Sequence, residues 1–119
     1  MTGNEYQIAA MRTANGMNYE HHNLLMNGAL GLCGEAGEVA DLVKKATFQG
    51  HTLDKERIAE ELGDVAWYLA VSAKAIGYDL DAIFQKNVNK LRIRYPDGFE
   101  AGRSIHRPEY EGGANDALD

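Results

Sequence analysis

Apolar residues recur at three- and four-residue steps through most of the chain, and no stretch keeps the two-residue alternation of a half-buried strand. Residues 4–15 predict a first helix. Asn4 can cap it, Tyr6, Ala9, Ala10 and Met11 supply its apolar content, and Asn15-Gly16 reads as a stop. A short turn over Met17 to Tyr19 leads into a longer helix from about Glu20 to Phe48, where Leu24, Leu25, Leu32, Ala36, Val39, Leu42, Val43 and Ala46 keep helical periodicity. Gly50 breaks the chain in the loop that follows. A third helix is expected from about Asp54 to Ile76, with Ile58, Leu62, Val65, Leu69, Ser72 or Ala73, and Ile76 as its packing seam. Gly77 ends it. Asp79 can cap a fourth helix carrying Ile83, Phe84, Val88, Leu91 and Tyr95, which Pro96 stops because proline cannot continue the hydrogen-bond ladder.

This pattern predicts an all-α protein of the four-helix bundle type. Its 119 residues suffice for one hydrophobic core. The expected organisation is one domain over residues 1–107 and an acidic tail over 108–119, whose Gly-rich stretch from Glu111 to Asp116 has little to bury.

The second helix carries Gly28, Gly31, Gly34 and Gly37, each three residues from the next. A glycine costs about 1 kcal/mol against alanine in a helix interior. The series therefore marks either a bend or a groove where another helix, or a ligand, approaches the backbone. The groove is favoured, because Gly34 and Gly37 interleave with Glu35 and Glu38.

Those two acids begin the candidate chemistry. Glu35 and Glu38 lie three residues apart, and Glu61 and Asp64 repeat that spacing in the third helix. Residues so spaced share a helix face, with about 5–6 Å between their Cβ atoms. A single such pair is ordinary on a solvated surface. Two pairs at the edge of packed seams gather four carboxylates in a partly dry groove, which costs several kcal/mol for each unpaired charge. A cation between them removes that cost. Ligands that are all oxygen favour a hard ion, Mg²⁺ or its substitute Mn²⁺, over zinc. A di-iron carboxylate bundle needs Glu-x-x-His on two helices, and no glutamate here has a histidine three positions later. A surface or capping role is the default for all four histidines, His21, His22, His51 and His106, with His21 or His22 also placed where one could line a pocket mouth.

Charge narrows the partners. The net charge is −6. Residues 1–96 without the four motif acids come to +2, and the stretch from Asp97 onward carries −4. The chain lacks the basic surface of a general nucleic-acid binder, so no nucleic-acid partner is expected. It also lacks an apolar run of about 20 residues for a membrane span, and its N-terminus lacks a signal pattern. Its single cysteine, Cys33, fits a reducing compartment. A cytoplasmic protein with no membrane partner is the expectation. A small anionic ligand that arrives with metal remains compatible, and Asn87, Lys90 and Arg94 share a face of the fourth helix suited to phosphates. Lysine offers a point charge and arginine a fork. Lys44 and Lys45 lie two turns past Glu38 and add positive charge. Tyr68, one turn beyond Asp64, is placed to touch a base or sugar.

Three stretches together, GEAGEVADL (34–42), EELGDVAWYL (60–69) and NVNKLRIRYPDGF (87–99), resemble the MazG family of all-α nucleoside triphosphate pyrophosphohydrolases, which is related to the dimeric dUTPases. The resemblance runs from about residue 24 to 107 and points to the small single-domain members. It implies Glu35, Glu38, Glu61 and Asp64 as magnesium ligands. Glu60 stands as the acid before the third ligand, and Asn87, Lys90 and Arg94 as residues engaging or flanking the substrate phosphates. It also implies hydrolysis of a nucleoside triphosphate to monophosphate and pyrophosphate by metal-activated water attacking the α-phosphorus. Glu38 is the favoured group to orient or deprotonate that water, with Glu35 beside it and Lys90 and Arg94 steadying the leaving pyrophosphate. Family members form dimers or tetramers, so a homodimer or homotetramer is expected. The competing readings are a non-catalytic nucleotide- or metal-binding regulator on the same scaffold, and a structural helical oligomer with solvated acids.

Overall fold

The computed structural model describes residues 1–14 and 22–107. The stop at Asn15-Gly16, the turn over Met17 to Tyr19, the side chains of His21 and His22, and the acidic tail from residue 108 fall outside the described residues. The chain is all-α. Helix α1 spans Gly3–Met11 and continues into a single 3₁₀ turn over Arg12–Ala14; α2 spans His22–Phe48, α3 Lys55–Ala75, α4 Leu80–Arg94 and the short α5 Ala101–Ile105. Among the described residues no strand forms, and no helix is long and apolar enough to cross a membrane.

Two compact units divide the chain, Met1–Leu80 and Asp81–Asp119. In the first, α3 packs against both α2 and α1. Helix α1 starts one residue earlier than expected, because Thr2 and not Asn4 caps it. Thr2 and Glu5 form a reciprocal capping box: the Glu5 amide donates to Thr2 Oγ1 at 3.1 Å and the Thr2 amide to Glu5 Oε2 at 2.9 Å. Asp54 caps α3 by accepting from the Arg57 amide at 3.1 Å. Gly50 and Gly77 terminate α2 and α3 with positive φ, a conformation that strains any residue with a Cβ.

The buried centre of this unit is Ala14, Leu24 and Val71, with Met11, Trp67 and Ala75 packed around it. It is offset from the expected α3 seam. Leu62 is 53% exposed and Ile76 54%; Ala73 of that seam is buried, and so are Ala70 and Val71, which lie outside it. The cause is α1, which covers a second face of α3 and shifts the most enclosed line around the helix. Trp67 Nε1 donates to Ala10 O at 3.1 Å and to Thr13 Oγ1 at 2.8 Å. Gln7, almost fully buried, donates to Ala70 O at 3.2 Å and Tyr78 O at 3.1 Å, and accepts from the Leu80 amide at 3.1 Å. The last of these satisfies one of the open amides at the start of α4.

The glycines of α2 divide into two kinds. A Cβ at Gly28 would overlap Ser72, and one at Gly31 would overlap the Tyr68 ring. These two let α2 and α3 approach closely. Gly34 and Gly37 face open space. In the second unit α4 ends before Pro96, the Tyr95 and Phe99 rings lie 5.3 Å apart, and Gly98 takes positive φ.

Candidate active site

The glycine contacts fix the register in which α2 and α3 run antiparallel, Gly28 beside Ser72 and Gly31 beside Tyr68. One turn further along α2, that register brings Glu35 to Glu61 and Asp64. One carboxylate oxygen from each of the three lies within 4.8 Å of the others. Glu35 and Glu61 are half-buried and Asp64 is exposed. A pocket of about 420 Å³ opens over them, lined also by Gly31, Gly34 and Glu38. Gly34 thus opens onto the pocket, and Gly31 borders it while packing against Tyr68 of the neighbouring helix. Glu38 belongs to this pocket but stands apart from the close trio.

Within the trio, Glu35 feels the crowding of negative charge most clearly. The Glu35 carboxyl is held above its ordinary range, first by desolvation between the helices, then by the negative charge of Asp64. A hydrogen bond with Glu61 and the charges of Glu61 and Glu38 add to the rise. Among the described residues no lysine or arginine is paired with any of the three. A partly buried set of carboxylate oxygens, without a lysine or arginine partner among the described residues, fits a hard divalent cation, which would replace mutual repulsion with coordination.

Glu38 also borders a second cavity, of about 350 Å³, whose wall includes Lys45, His51, Thr52 and Arg57. Lys45 Nζ lies 2.7 Å from Asp41 Oδ2 and Lys44 Nζ 3.6 Å from Asp41 Oδ1. The Lys45 hydrogen bond foremost, then the charges of both lysines, hold the Asp41 carboxyl below its usual range. The expected substrate residue Lys44 is therefore an exposed partner of Asp41, and Lys45 is the one that borders the cavity. Tyr68 is half-buried, its ring edge-on to Trp67 with centroids 5.0 Å apart.

Asn87, Lys90 and Arg94 lie on α4 in the second unit. Asn87 and Lys90 are exposed, while Arg94 is buried, its guanidinium carbon 5.9 Å from the centroid of the Tyr95 ring. Two residues at or near the acidic pocket escaped the sequence reading. Arg57 stands four residues before Glu61, a spacing that places it one turn away on the same side of α3. Tyr6 reaches Gly63 O with its hydroxyl at 3.5 Å, and burial together with the charge of Asp64 pushes its phenol up. No local pattern marks Tyr6, because the contact depends on how α1 docks.

Two antiparallel helices that present carboxylates from E-x-x-E and E-x-x-D motifs into one oxygen-lined pocket define an all-α acidic-site domain. Residues 23–99 match the model of the MazG nucleotide pyrophosphohydrolase domain, and the chain belongs to that family. It is also similar to the Gene 37 protein of Mycobacterium phage L5, with 35% identity over 109 residues that cover 86% of this chain and 96% of the phage protein. No solved structure matches the chain.

Proposed function

We propose that the protein hydrolyses ribo- or deoxyribonucleoside triphosphates to the monophosphate and pyrophosphate in a Mg²⁺-dependent reaction. The observation that carries this reading is the meeting of Glu35, Glu61 and Asp64 within 4.8 Å, inside the stretch that matches the family. Glu35, Glu38, Glu61 and Asp64 would hold Mg²⁺, or Mn²⁺ in its place. Such an ion, when bound, neutralises phosphate charge and brings the pKa of water toward neutrality.

The chain's own groups account for the remaining work. Water attacks the α-phosphorus, the bond to the α–β bridging oxygen breaks, and pyrophosphate leaves. Glu38, at the pocket edge and outside the close trio, orients the attacking water and takes its proton. Lys45 and Arg57, in the cavity that shares Glu38, supply positive charge within the same unit as the acids. Asn87, Lys90 and Arg94 engage the phosphates, and Lys90 steadies charge on the leaving group. Tyr68 contacts the base or sugar, with Lys44 at the rim. We read residues 1–107 as the working domain, in a cytoplasmic homodimer or homotetramer that needs neither nucleic acid nor membrane. Exposed Leu30 on α2 and Leu62 on α3 support self-association.

Incubation with each common NTP and dNTP, with and without Mg²⁺, tests the reading. Monophosphate and pyrophosphate are the expected products, and turnover in ¹⁸O water should label the monophosphate alone. Diphosphate with orthophosphate would overturn attack at the α-phosphorus. Sedimentation as a monomer at micromolar concentration would overturn the oligomer.

A further inference from the structure

The residues that match the family begin at 23, yet the acidic site has a neighbour that precedes them. Tyr6, on α1, places its hydroxyl 3.5 Å from Gly63 O, the carbonyl immediately before Asp64. Its ring is half-buried, and the Asp64 carboxylate is close enough for its charge to be felt at the phenol. Helix α1 is not free to drift from this position. The capping box of Thr2 and Glu5 fixes the turn that precedes Tyr6. Gln7, the next residue, is locked by bonds to Ala70, Tyr78 and Leu80. Ala10 and Thr13 receive the Trp67 indole. Helix α1 and the 3₁₀ turn thus engage α3 at residues 63, 67 and 70, and the first of these immediately precedes a site carboxylate.

We propose that Tyr6 is a positioning residue for Asp64, its hydroxyl tethering the α3 turn that presents this carboxylate to the acidic pocket. The functional site then extends into the N-terminal helix, outside the stretch that defines the family. Partners of metal-ligating groups set ligand orientation, and losing one costs roughly 10–100-fold in metal affinity or activity. Tyr6 acts through Asp64. It does not touch the reacting atoms.

The proposal rests on the divalent-cation reading of the site, so the test measures the cation directly. Mn²⁺ is titrated into the nucleotide-free protein and free Mn²⁺ is followed by electron paramagnetic resonance, for the wild type, Tyr6→Phe and Trp67→Phe. Tyr6→Phe keeps the ring and removes only the hydroxyl. It is expected to weaken Mn²⁺ binding severalfold, toward the lower end of the roughly 10–100-fold typical of a direct ligand partner, with little change in melting temperature of the metal-free protein. Trp67→Phe removes the indole bonds to Ala10 and Thr13 and is expected to lower the melting temperature while leaving Mn²⁺ affinity of the folded protein unchanged. Wild-type affinity in Tyr6→Phe overturns the proposal. Equal weakening in both variants also overturns it, since that reports general docking of α1. A wild-type protein that binds Mn²⁺ but hydrolyses no nucleotide would sink the pyrophosphohydrolase reading, and the Tyr6→Phe titration would still decide the role of Tyr6. A wild type that binds no Mn²⁺ overturns both.

Discussion

Glu35 of α2 and Glu61 of α3 each bring a carboxylate oxygen within 4.8 Å of the other and of Asp64. This crowding holds the Glu35 carboxyl above the usual glutamate range, through desolvation first and then the negative charge of Asp64. A carboxyl whose pKa is raised by folding contributes stability below its unfolded value, and that contribution is lost as pH climbs through the folded one. In the presence of chelator, the melting temperature should therefore fall as pH rises from the ordinary glutamate value through the raised one. Glu35→Gln, which stays neutral, should flatten this fall. Divalent-cation affinity should move the opposite way and strengthen over the same window, because ligands bind deprotonated. Thermal melts across pH, with and without Mn²⁺, check both signs.

On the proposed reading, removing one of the site acids leaves the other carboxylates crowded but reduces their hold on a cation. Asp64→Asn and Glu61→Gln are expected to lose more activity than the roughly 10–100-fold typical of an outer partner, while far-ultraviolet circular dichroism stays helical. Glu38→Gln separates two roles. Standing outside the close trio, it should lower kcat far more than it lowers Mn²⁺ affinity if its work is on the attacking water. A loss of affinity equal to that of Asp64→Asn would show that Glu38 works chiefly by holding the cation and not on the attacking water. Nucleotide turnover and Mn²⁺ titration on the same preparations distinguish these outcomes.

The glycines of α2 should respond in opposite directions. Gly31→Ala drives a methyl group into the Tyr68 ring, and overpacking of this kind costs about 1–3 kcal/mol. Gly37→Ala meets open space and removes a helix-destabilising residue, for a gain of roughly 0.5–1 kcal/mol. Urea unfolding midpoints of the metal-free variants should fall on either side of the wild type. If both substitutions destabilise, the division into packing and open glycines is wrong.

Much of this was legible along the chain, for identifiable reasons. Repeated apolar spacing made α2, α3 and α4 visible, and Gly50, Gly77 and Pro96 marked where they stop. The i, i+3 acids became a site because a long antiparallel helix pair has few registers, and the glycines at 28 and 31 select one. Other features depend on contacts that periodicity does not encode. Of the seam Ile58, Leu62, Val65, Leu69, Ser72 or Ala73, and Ile76, Ala73 is buried as expected, but docking of α1 encloses Ala70 and Val71 beside it while Leu62 and Ile76 stay exposed. The same docking brought Tyr6 to Gly63, across 57 residues of sequence. The Thr2-x-x-Glu5 capping box was readable in principle, since it is a local pattern, and Asn4 drew attention away from it. Arg57 was likewise within reach of a spacing rule applied outward from Glu61.

Gln7 offers the strongest test of how α1 is held. Its side-chain amide serves Ala70 O, Tyr78 O and the Leu80 amide in a nearly dry position, so it joins α1, the end of α3 and the start of α4 through one residue. Gln7→Ala leaves two carbonyls and one amide without that partner, besides opening a small void. A buried polar group left unsatisfied costs about 1–3 kcal/mol, and water entering the void will recover part of the loss. A net destabilisation of about 2–4 kcal/mol is expected, large against the 5–15 kcal/mol typical of a domain. Gln7→Glu should be nearly as harmful, since a carboxylate cannot donate to Ala70 O or Tyr78 O and is charged in a buried place. Chemical denaturation measures the loss, and hydrogen exchange locates it. The amides around Leu80 should lose protection first, because the Gln7 acceptor is the side chain that satisfies the first amide of α4. A variant with full stability and protected α4 amides would show that packing of α1 on α3 alone holds this corner.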